Sequence, residues 1–302
     1  MASLSVFRRT ALAAVGAGAL LGVSACSAGG SAALSVETPG ATDPAAPGSV
    51  TVGPTFTTAT FADPVTGQSL SYNLHLPADY DPARAYPMVV YLGDADTVGK
   101  SVTAPLTGYG AHVWASDAEQ SRRASIVVVP QYPGVILDDH GTLATTDYVE
   151  MTGRLVTWLE NSYAVDQGRV YGTGEGMGAT AIAYLSAEHP DLFTASLLVA
   201  GRPDLASPVG LADATFVSVA TSDDDVAIAA QAAVHRLLVR RQVACGLATW
   251  DARWSAGRLD AEARRMLAEG NRANLVRLDG TPAGSAYRIT ALREWLFRQS
   301  AS

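Results

Sequence analysis

The 302-residue chain is poor in the residue types that most often build reactive or metal-binding sites. It has two cysteines, Cys26 and Cys245, and five histidines, none of which follows His235. No acidic stretch has the spacing of a calcium-binding loop. Only 17% of the residues are charged, and the formal net charge is -8. This surplus of negative charge argues against nucleic acid or an anionic membrane surface as the partner, because both are polyanions.

Residues 1–25 have the features of an export signal, and we exclude them from the fold. The apolar stretch Ala11–Val23 is too short to cross a hydrocarbon core of about 30 Å as a permanent helix. The end of this stretch, Val23-Ser24-Ala25-Cys26, resembles a bacterial lipobox. The resemblance implies cleavage before Cys26 and a lipid on its sulfur, and an ordinary signal peptide is the alternative. Arg8-Arg9 also resembles a twin-arginine export signal. We therefore expect a bacterial lipoprotein anchored at the extracytoplasmic face of the cell membrane.

The segment 26–50 is rich in alanine, glycine, serine and proline and holds few large apolar residues. Such a composition cannot bury a core, so we interpret it as a flexible tether behind the lipidated cysteine. If Cys26 is lipidated, Cys245 has no partner for an intramolecular disulfide. We expect Cys245 to be a buried, small apolar side chain.

Residues 51–302 are predicted to form one α/β domain. Thr55–Ala62 and Leu70–Leu76 are β-rich and are joined by turn residues, which predicts an N-terminal antiparallel hairpin. Met88–Leu92 is apolar on both faces, which is typical of a central parallel strand. Strands then alternate with helices, which predicts a mainly parallel sheet with helices on both faces. The predicted strands are 125–129, 169–172, 195–200, 214–220, 247–250 and 273–278, and the predicted helices are 148–163, 179–188, 226–240, 260–268 and 287–299.

One glycine-rich turn stands out between a predicted strand and a helix of small and apolar residues. Its sequence is Gly174-Glu175-Gly176-Met177-Gly178. The pattern Gly-x-Ser-x-Gly at such a strand-to-helix turn carries the nucleophile of α/β-hydrolases. In this chain, Gly176 takes the position of the serine. The two outer glycines of the pattern are thus present, but Gly176 has no side-chain oxygen to act as a nucleophile.

Other segments extend this resemblance over residues 55–300. They resemble secreted α/β-hydrolases of the esterase, polyhydroxybutyrate-depolymerase-like and prolyl-oligopeptidase-like group. The segments are Asp63–Pro77, Tyr80-Asp81-Pro82, Pro130–Pro133, His189–Phe193 and Leu292–Phe297. The resemblance implies the α/β-hydrolase fold and, for active members, hydrolysis of carboxylic esters or peptides by a serine nucleophile.

The departures from this family fall on the chemistry. Active members carry His-Gly after the first central strand, where amides help to form the oxyanion hole, and this chain has Gly93-Asp94. The acid after the seventh strand is retained as Asp223. The base histidine is expected shortly before the last helix, and none stands between Asp279 and Tyr287. Loss of the serine or the histidine typically costs on the order of 10⁶ in rate.

The loops that follow parallel strands meet at one crevice, and they define the candidate binding residues. These are Asp94, Asp138, His140, Glu175, Met177 and Asp223. We interpret Glu175 as a solvated residue at the rim or one paired with an arginine such as Arg202. We expect no cofactor and no nucleic acid, and the sequence does not identify a ligand or protein partner.

Three functions are compatible with these residues. The leading hypothesis is a lipid-anchored α/β-hydrolase-fold protein without serine-hydrolase activity, which works as a binding or scaffolding module. The second is a hydrolase that uses non-standard residues such as Glu175 or His140. The third is an acidic cation-binding site, since carboxylates are the oxygen ligands that divalent cations prefer.

Overall fold

The computed structural model describes residues 56–138, 142, 144–203, 208–280 and 283–301, all within one compact unit, Val50–Ser302. The export signal, Cys26 and the tether lie outside the described residues, so those expectations remain predictions. In the described ranges, no helix is both long and apolar enough to cross a membrane.

Within these residues, nine strands form one sheet in the order β1-β2-β4-β3-β5-β6-β7-β9-β8. β2 pairs antiparallel with both β1 and β4, and the remaining pairs are parallel. This confirms the predicted hairpin and the mainly parallel sheet. The strands are β1 Thr57–Ala62, β2 Ser69–His75, β3 Tyr86–Leu92, β4 Ile126–Gln131, β5 Val165–Glu175, β6 Ala195–Val199, β7 Phe216–Thr221, β8 Cys245–Asp251 and β9 Ala273–Asp279.

Helices cover both faces of the sheet, as predicted. They are α1 Tyr109–Ala115, α2 Asp117–Gln120, α3 Asp147–Ser162, α4 Met177–Glu188, α5 Pro208–Leu211, α6 Asp225–Arg240, α7 Ala256–Leu267 and α8 Thr290–Arg298. Short 3-10 helices lie at Ala95–Thr97, Ala104–Thr107 and Ala283–Arg288. The helices complete an α/β arrangement of three layers.

The core has two halves because successive residues of a strand point to opposite faces. In β3, Met88 and Val90 join the half that includes α3, α4 and α6. Val89 and Tyr91 join the half that includes α1, α7 and α8. Every residue of β3 is buried, which explains why this strand has no polar side in the sequence.

The structure corrects several local predictions. In the sequence, Asp147 followed three residues later by Glu150 predicts a capping box at the start of this helix, but Thr146 is the N-cap of α3 and makes no side-chain cap bond. Asp147 is instead the first residue of the helix, and its carboxylate accepts a hydrogen bond from Gln68 Nε2 at 3.2 Å. The predicted last helix is divided into the 3-10 helix Ala283–Arg288 and α8. The helices between 95 and 120 were not predicted.

Cys245 is partly buried at the start of β8. Burial raises the pKa of its thiol to about 11. The thiol therefore stays protonated at neutral pH, although the side chain is less buried than the sequence predicted.

Candidate functional site

The glycine-rich turn forms a sharp elbow between β5 and α4. Gly176 is the single residue between them, with φ 53° and ψ -119°, a conformation that side chains rarely adopt. Its amide donates a hydrogen bond to the carbonyl oxygen of Val199, 3.0 Å away. Two residues further on, Gly178 packs so close to the backbone of Leu92 that a Cβ would overlap it. The backbone therefore has the geometry of a nucleophile elbow.

The carboxylate of Asp94 fills the space above Gly176. A Cβ on Gly176 would lie 2.6 Å from Oδ2 of Asp94 and closer still to Oδ1. Oδ1 accepts hydrogen bonds from the amides of Ala95, at 2.7 Å, and Met177, at 3.0 Å. Since the amide of Met177 is in the first turn of α4, this carboxylate also lies at the positive end of the helix dipole. The elbow thus holds an anion supplied by the chain itself.

Glu175 lies beside this anion at the end of β5. Its carboxylate is half-buried and accepts a hydrogen bond from the amide of Gly284. Burial raises the pKa of Glu175, and the nearby carboxylates of Asp94 and Asp96 raise it further. The side chain is therefore less solvated than expected for a residue at the rim, because the backbone at Gly284 covers part of it.

Two buried tyrosines support the elbow from below. The hydroxyl of Tyr287 donates to the carbonyl oxygen of Gly174 at 2.8 Å and lies 3.1 Å from the hydroxyl of Thr173. The ring of Tyr91 packs edge-on against Tyr287, with 5.9 Å between ring centroids. Burial raises the pKa of Tyr287 well above its usual value. Tyr287 therefore acts as a hydrogen-bond donor to the elbow, and nothing in the sequence had marked it.

The other predicted residues do not all reach the elbow. The side chain of Met177 is fully buried in the core, so only its amide faces Asp94, and the expectation that the side chain lines a cleft was wrong. Asp223 is exposed after β7, while the next residue, Asp224, caps α6. Asp138 accepts a hydrogen bond from the hydroxyl of Thr142 in its own loop.

The histidines of the described ranges lie elsewhere. His75 and His112 pack around the ring of Phe56. His189 Nε2 lies 2.9 Å from a carboxylate oxygen of Glu150, and His235 is on α6. His140 lies outside the described residues. A base partner for the elbow is thus not among the described histidines.

The described ranges also contain no group of three or more His, Cys, Asp or Glu side chains arranged to hold a metal ion. The carboxylates of Asp94 and Asp96 raise the pKa of Glu175, but these three residues do not form such a group. The hypothesis of a cation site therefore gains no support from this part of the chain.

Solved structures with the same architecture identify the fold. A thermostable esterase is 25% identical, with a TM-score of 0.63, over 82% of this chain and 64% of that chain. A feruloyl esterase module from Clostridium thermocellum, complexed with sinapinate, is 12% identical, with a TM-score of 0.56, over 80% of this chain and 87% of that chain. A dipeptidyl aminopeptidase IV from Bacteroides ovatus is 14% identical, with a TM-score of 0.54, over 81% of this chain and 36% of that chain.

The chain has the α/β-hydrolase fold that these esterases and the peptidase share, which confirms the resemblance found in the sequence. It spans 64% of the length of the thermostable esterase. No protein-family model matches the chain, and no curated protein matches it significantly. The comparisons thus show a hydrolase-like scaffold, and the chemistry of this chain depends on its own residues.

Proposed function

We propose that this chain is an exported, lipid-anchored α/β-hydrolase-fold protein without serine-hydrolase activity, and that it works as a binding or scaffolding module. The observation that carries this proposal is the carboxylate of Asp94 at the elbow. It occupies the volume of a nucleophile side chain and accepts the hydrogen bond of the Met177 amide.

Acyl transfer of this type needs an oxygen nucleophile, a base within hydrogen-bond reach, and donors aimed at the developing oxyanion. Gly176 has no side-chain oxygen. The Met177 amide, which would be an oxyanion donor at such an elbow, is already bonded to Asp94. A fixed carboxylate also opposes an oxyanion about 4 Å away by ~4 kcal/mol at an effective dielectric constant of 20. The same residue therefore blocks both the attack and the stabilisation of its product.

Turnover of short-chain nitrophenyl esters tests this proposal on the full chain. We expect no turnover above the buffer rate for the unmodified protein or for Gly176→Ser. The double variant Asp94→Gly/Gly176→Ser clears space for the serine and frees the amide, but it still has no base, so we expect it to be silent too. Ester turnover by the unmodified protein that an elbow substitution abolishes would contradict the proposal.

The lipid anchor rests on the lipobox-like sequence that ends at Cys26. Expression in a bacterium with a labelled fatty acid should label the chain and place it in the membrane fraction. Cys26→Ala should remove the label and release the protein. Labelling that survives this substitution would exclude Cys26 as the attachment point.

A second candidate function is a hydrolase that uses Glu175. The supporting observation is its half-buried carboxyl group beside the elbow, whose pKa is raised by burial, because a partly buried carboxyl group next to a reaction site is a candidate for general acid–base catalysis. This candidate predicts that Glu175→Gln removes a measurable hydrolytic activity. His140→Ala tests the other residue of this hypothesis. If neither substitution changes the turnover of any ester or peptide tried, the candidate fails.

A further inference from the structure

A groove lies well away from the elbow, between the end of β1, helix α3 and the segment that follows α4. Its volume is about 890 Å³, which is within the range of ligand sites in proteins. Its apolar lining includes Phe61, Trp158 and Leu192. The rings of Phe61 and Trp158 are tilted against each other with centroids 5.8 Å apart. Trp158 is 42% exposed, so one large aromatic surface is open to a ligand.

The charged groups around this groove are mostly acidic. Its lining includes the carboxylates of Glu150, Glu160, Glu188 and Asp191. The guanidinium of Arg154 is neutralised by Asp63, with Nε–Oδ1 at 2.7 Å and Nη2–Oδ2 at 2.8 Å. The groove therefore combines an apolar floor with a net negative rim.

Glu160, on α3, is the half-buried acid of this lining that lacks a side-chain partner. Its carboxylate has no hydrogen bond or ion pair with any described residue. Burial raises the pKa of its carboxyl group, because a carboxylate that is removed from water without a partner is unstable. A cation that entered the groove would supply the missing partner. Trp158, two residues earlier, offers the aromatic face that binds cations best.

We propose that this groove binds an extended cationic peptide segment, with one arginine or lysine side chain seated on Trp158 and a second paired with Glu160. The inference rests on the proposed role of the chain as a binding module, and it names the class of partner. Charge complementarity favours such a segment.

The dimensions favour a peptide over a small cation. The residues of α3 that line the groove run from Glu150 to Asn161, a distance of about 16 Å at 1.5 Å per residue. An extended peptide of about five residues has this length. Phe61 and Ala62, at the end of β1, also line the groove. Among the described strands, β1 pairs on one side only, so its free edge can pair with such a segment.

The groove and the elbow are separate sites. α4 begins at the elbow with Met177 and ends at the groove with Glu188. Twelve helical residues place these two ends about 17 Å apart. A ligand in the groove therefore does not touch Asp94 or Gly176, and each site can be tested without disturbing the other.

The test is calorimetric titration of the full chain in detergent with the peptide acetyl-Gly-Arg-Gly-Arg-Gly-amide. The matched peptide in which both arginines are replaced by glutamine is the control ligand. We expect the arginine peptide to bind, the glutamine peptide not to bind, and the binding to weaken with added salt. Glu160→Gln and Trp158→Ala should each weaken binding about fivefold to tenfold. Glu269→Gln removes an exposed acid after α7 and should leave binding unchanged.

Trp158→Phe is the control for misfolding of Trp158→Ala. It keeps an aromatic ring in the groove and should retain part of the affinity that Trp158→Ala loses. Equal binding of the two peptides, or an equal loss in the Glu269→Gln control, would overturn the proposal. So would tetramethylammonium binding as tightly as the peptide, since a single cation would then suffice. Gly176→Ser should not change peptide binding, so a failure here is distinct from any ester turnover at the elbow.

Discussion

The two ends of α4 differ in how their polar groups are satisfied. At the amino end, the carboxylate of Asp94 is held by two backbone amides and fills the elbow. At the carboxyl end, the groove is open, and the carboxylate of Glu160 has no partner among the described residues. The position where this fold usually places its chemistry is thus closed by the chain itself, while the proposed peptide site lies at the other end of the same helix. The glycine-rich sequence locates the elbow, but whether the polar groups of a site already have partners decides which ligands the site can accept.

The largest expected effect is the loss of stability when a methyl group is added at Gly176. The same change at Gly153 is the matched comparison. Gly176→Ala should lower the free energy of unfolding by about 2–4 kcal/mol, because it combines an unfavourable backbone conformation with displacement of Asp94. Gly153→Ala, in α3 beside the groove, should raise it by about 0.5–1 kcal/mol. There a Cβ would make ordinary contacts, 3.6 Å from the methyl groups of Leu185 and Leu192, and alanine favours a helix over glycine. Urea denaturation measures the change in the free energy of unfolding for both variants. A loss in both, or a gain in both, would contradict the expected difference between the two positions.

A double-mutant cycle tests whether Asp94 is the group that makes the elbow intolerant. Asp94→Ala alone should cost about 1–2 kcal/mol, since the amides of Ala95 and Met177 lose their acceptor. In the double variant Asp94→Ala/Gly176→Ala, the new methyl group no longer meets a carboxylate. The combined loss should therefore be smaller than the sum of the single losses by about 1–2 kcal/mol. Additive values within about 0.5 kcal/mol would show that the two residues do not interact.

The pH dependence of stability should have opposite signs for Glu175, at the elbow, and Asp63, near the groove. Folding raises the pKa of Glu175, so the unfolded chain releases this proton first as the pH rises. Stability should therefore fall as the pH increases above about 4.3, the ordinary value for glutamate. Arg154 holds the pKa of Asp63 well below its usual range, so this carboxylate stabilises the fold above about pH 3.9, and its contribution is lost as the pH falls through its folded pKa.

Melting temperatures across this pH range separate the two groups. Glu175→Gln should flatten the decline toward neutral pH, and Asp63→Asn should flatten the loss in acid. If the melting temperature changes with pH in both variants as it does in the unmodified protein, the pH dependence arises from other residues.

The smallest effect is expected for the ion pair between His189 and Glu150 at the groove. Both side chains are more than two-fifths exposed, and solvent screens such pairs strongly. His189→Ala should change the free energy of unfolding by less than about 1 kcal/mol. A larger loss would show that the groove wall is as tightly coupled as the elbow.

The sequence predicted the fold well because the signal is local. Every residue of β3 is buried, so the apolar run identifies a central strand without further information. The alternation of such runs with helical patterns then determines an α/β sheet. The short helices α1 and α2 escaped prediction because seven and four residues are too few to show a helical period. Thr146 took the cap position that the spacing of Asp147 and Glu150 had suggested for Asp147.

The candidate sites were less predictable because they depend on contacts between distant residues. Glycines alone indicated where the elbow lies. The bond from the Met177 amide to Asp94 joins residues 83 positions apart, and no sequence pattern specifies it. The groove brings together Phe61, Trp158 and Leu192 from three segments. Each residue by itself reads as an ordinary apolar packing position, so its role becomes visible only in three dimensions.

The overlap between Asp94 and a side chain at 176 also restricts the order in which mutations can restore a serine to this elbow. A serine introduced first meets the carboxylate, whereas a shorter residue at 94 introduced first leaves an empty elbow that the serine can then enter. The two substitutions are therefore not interchangeable steps. In a stepwise series of variants measured by urea denaturation, Gly176→Ser should therefore cost less stability after residue 94 has been shortened than before, because the carboxylate of Asp94 no longer overlaps the new side chain.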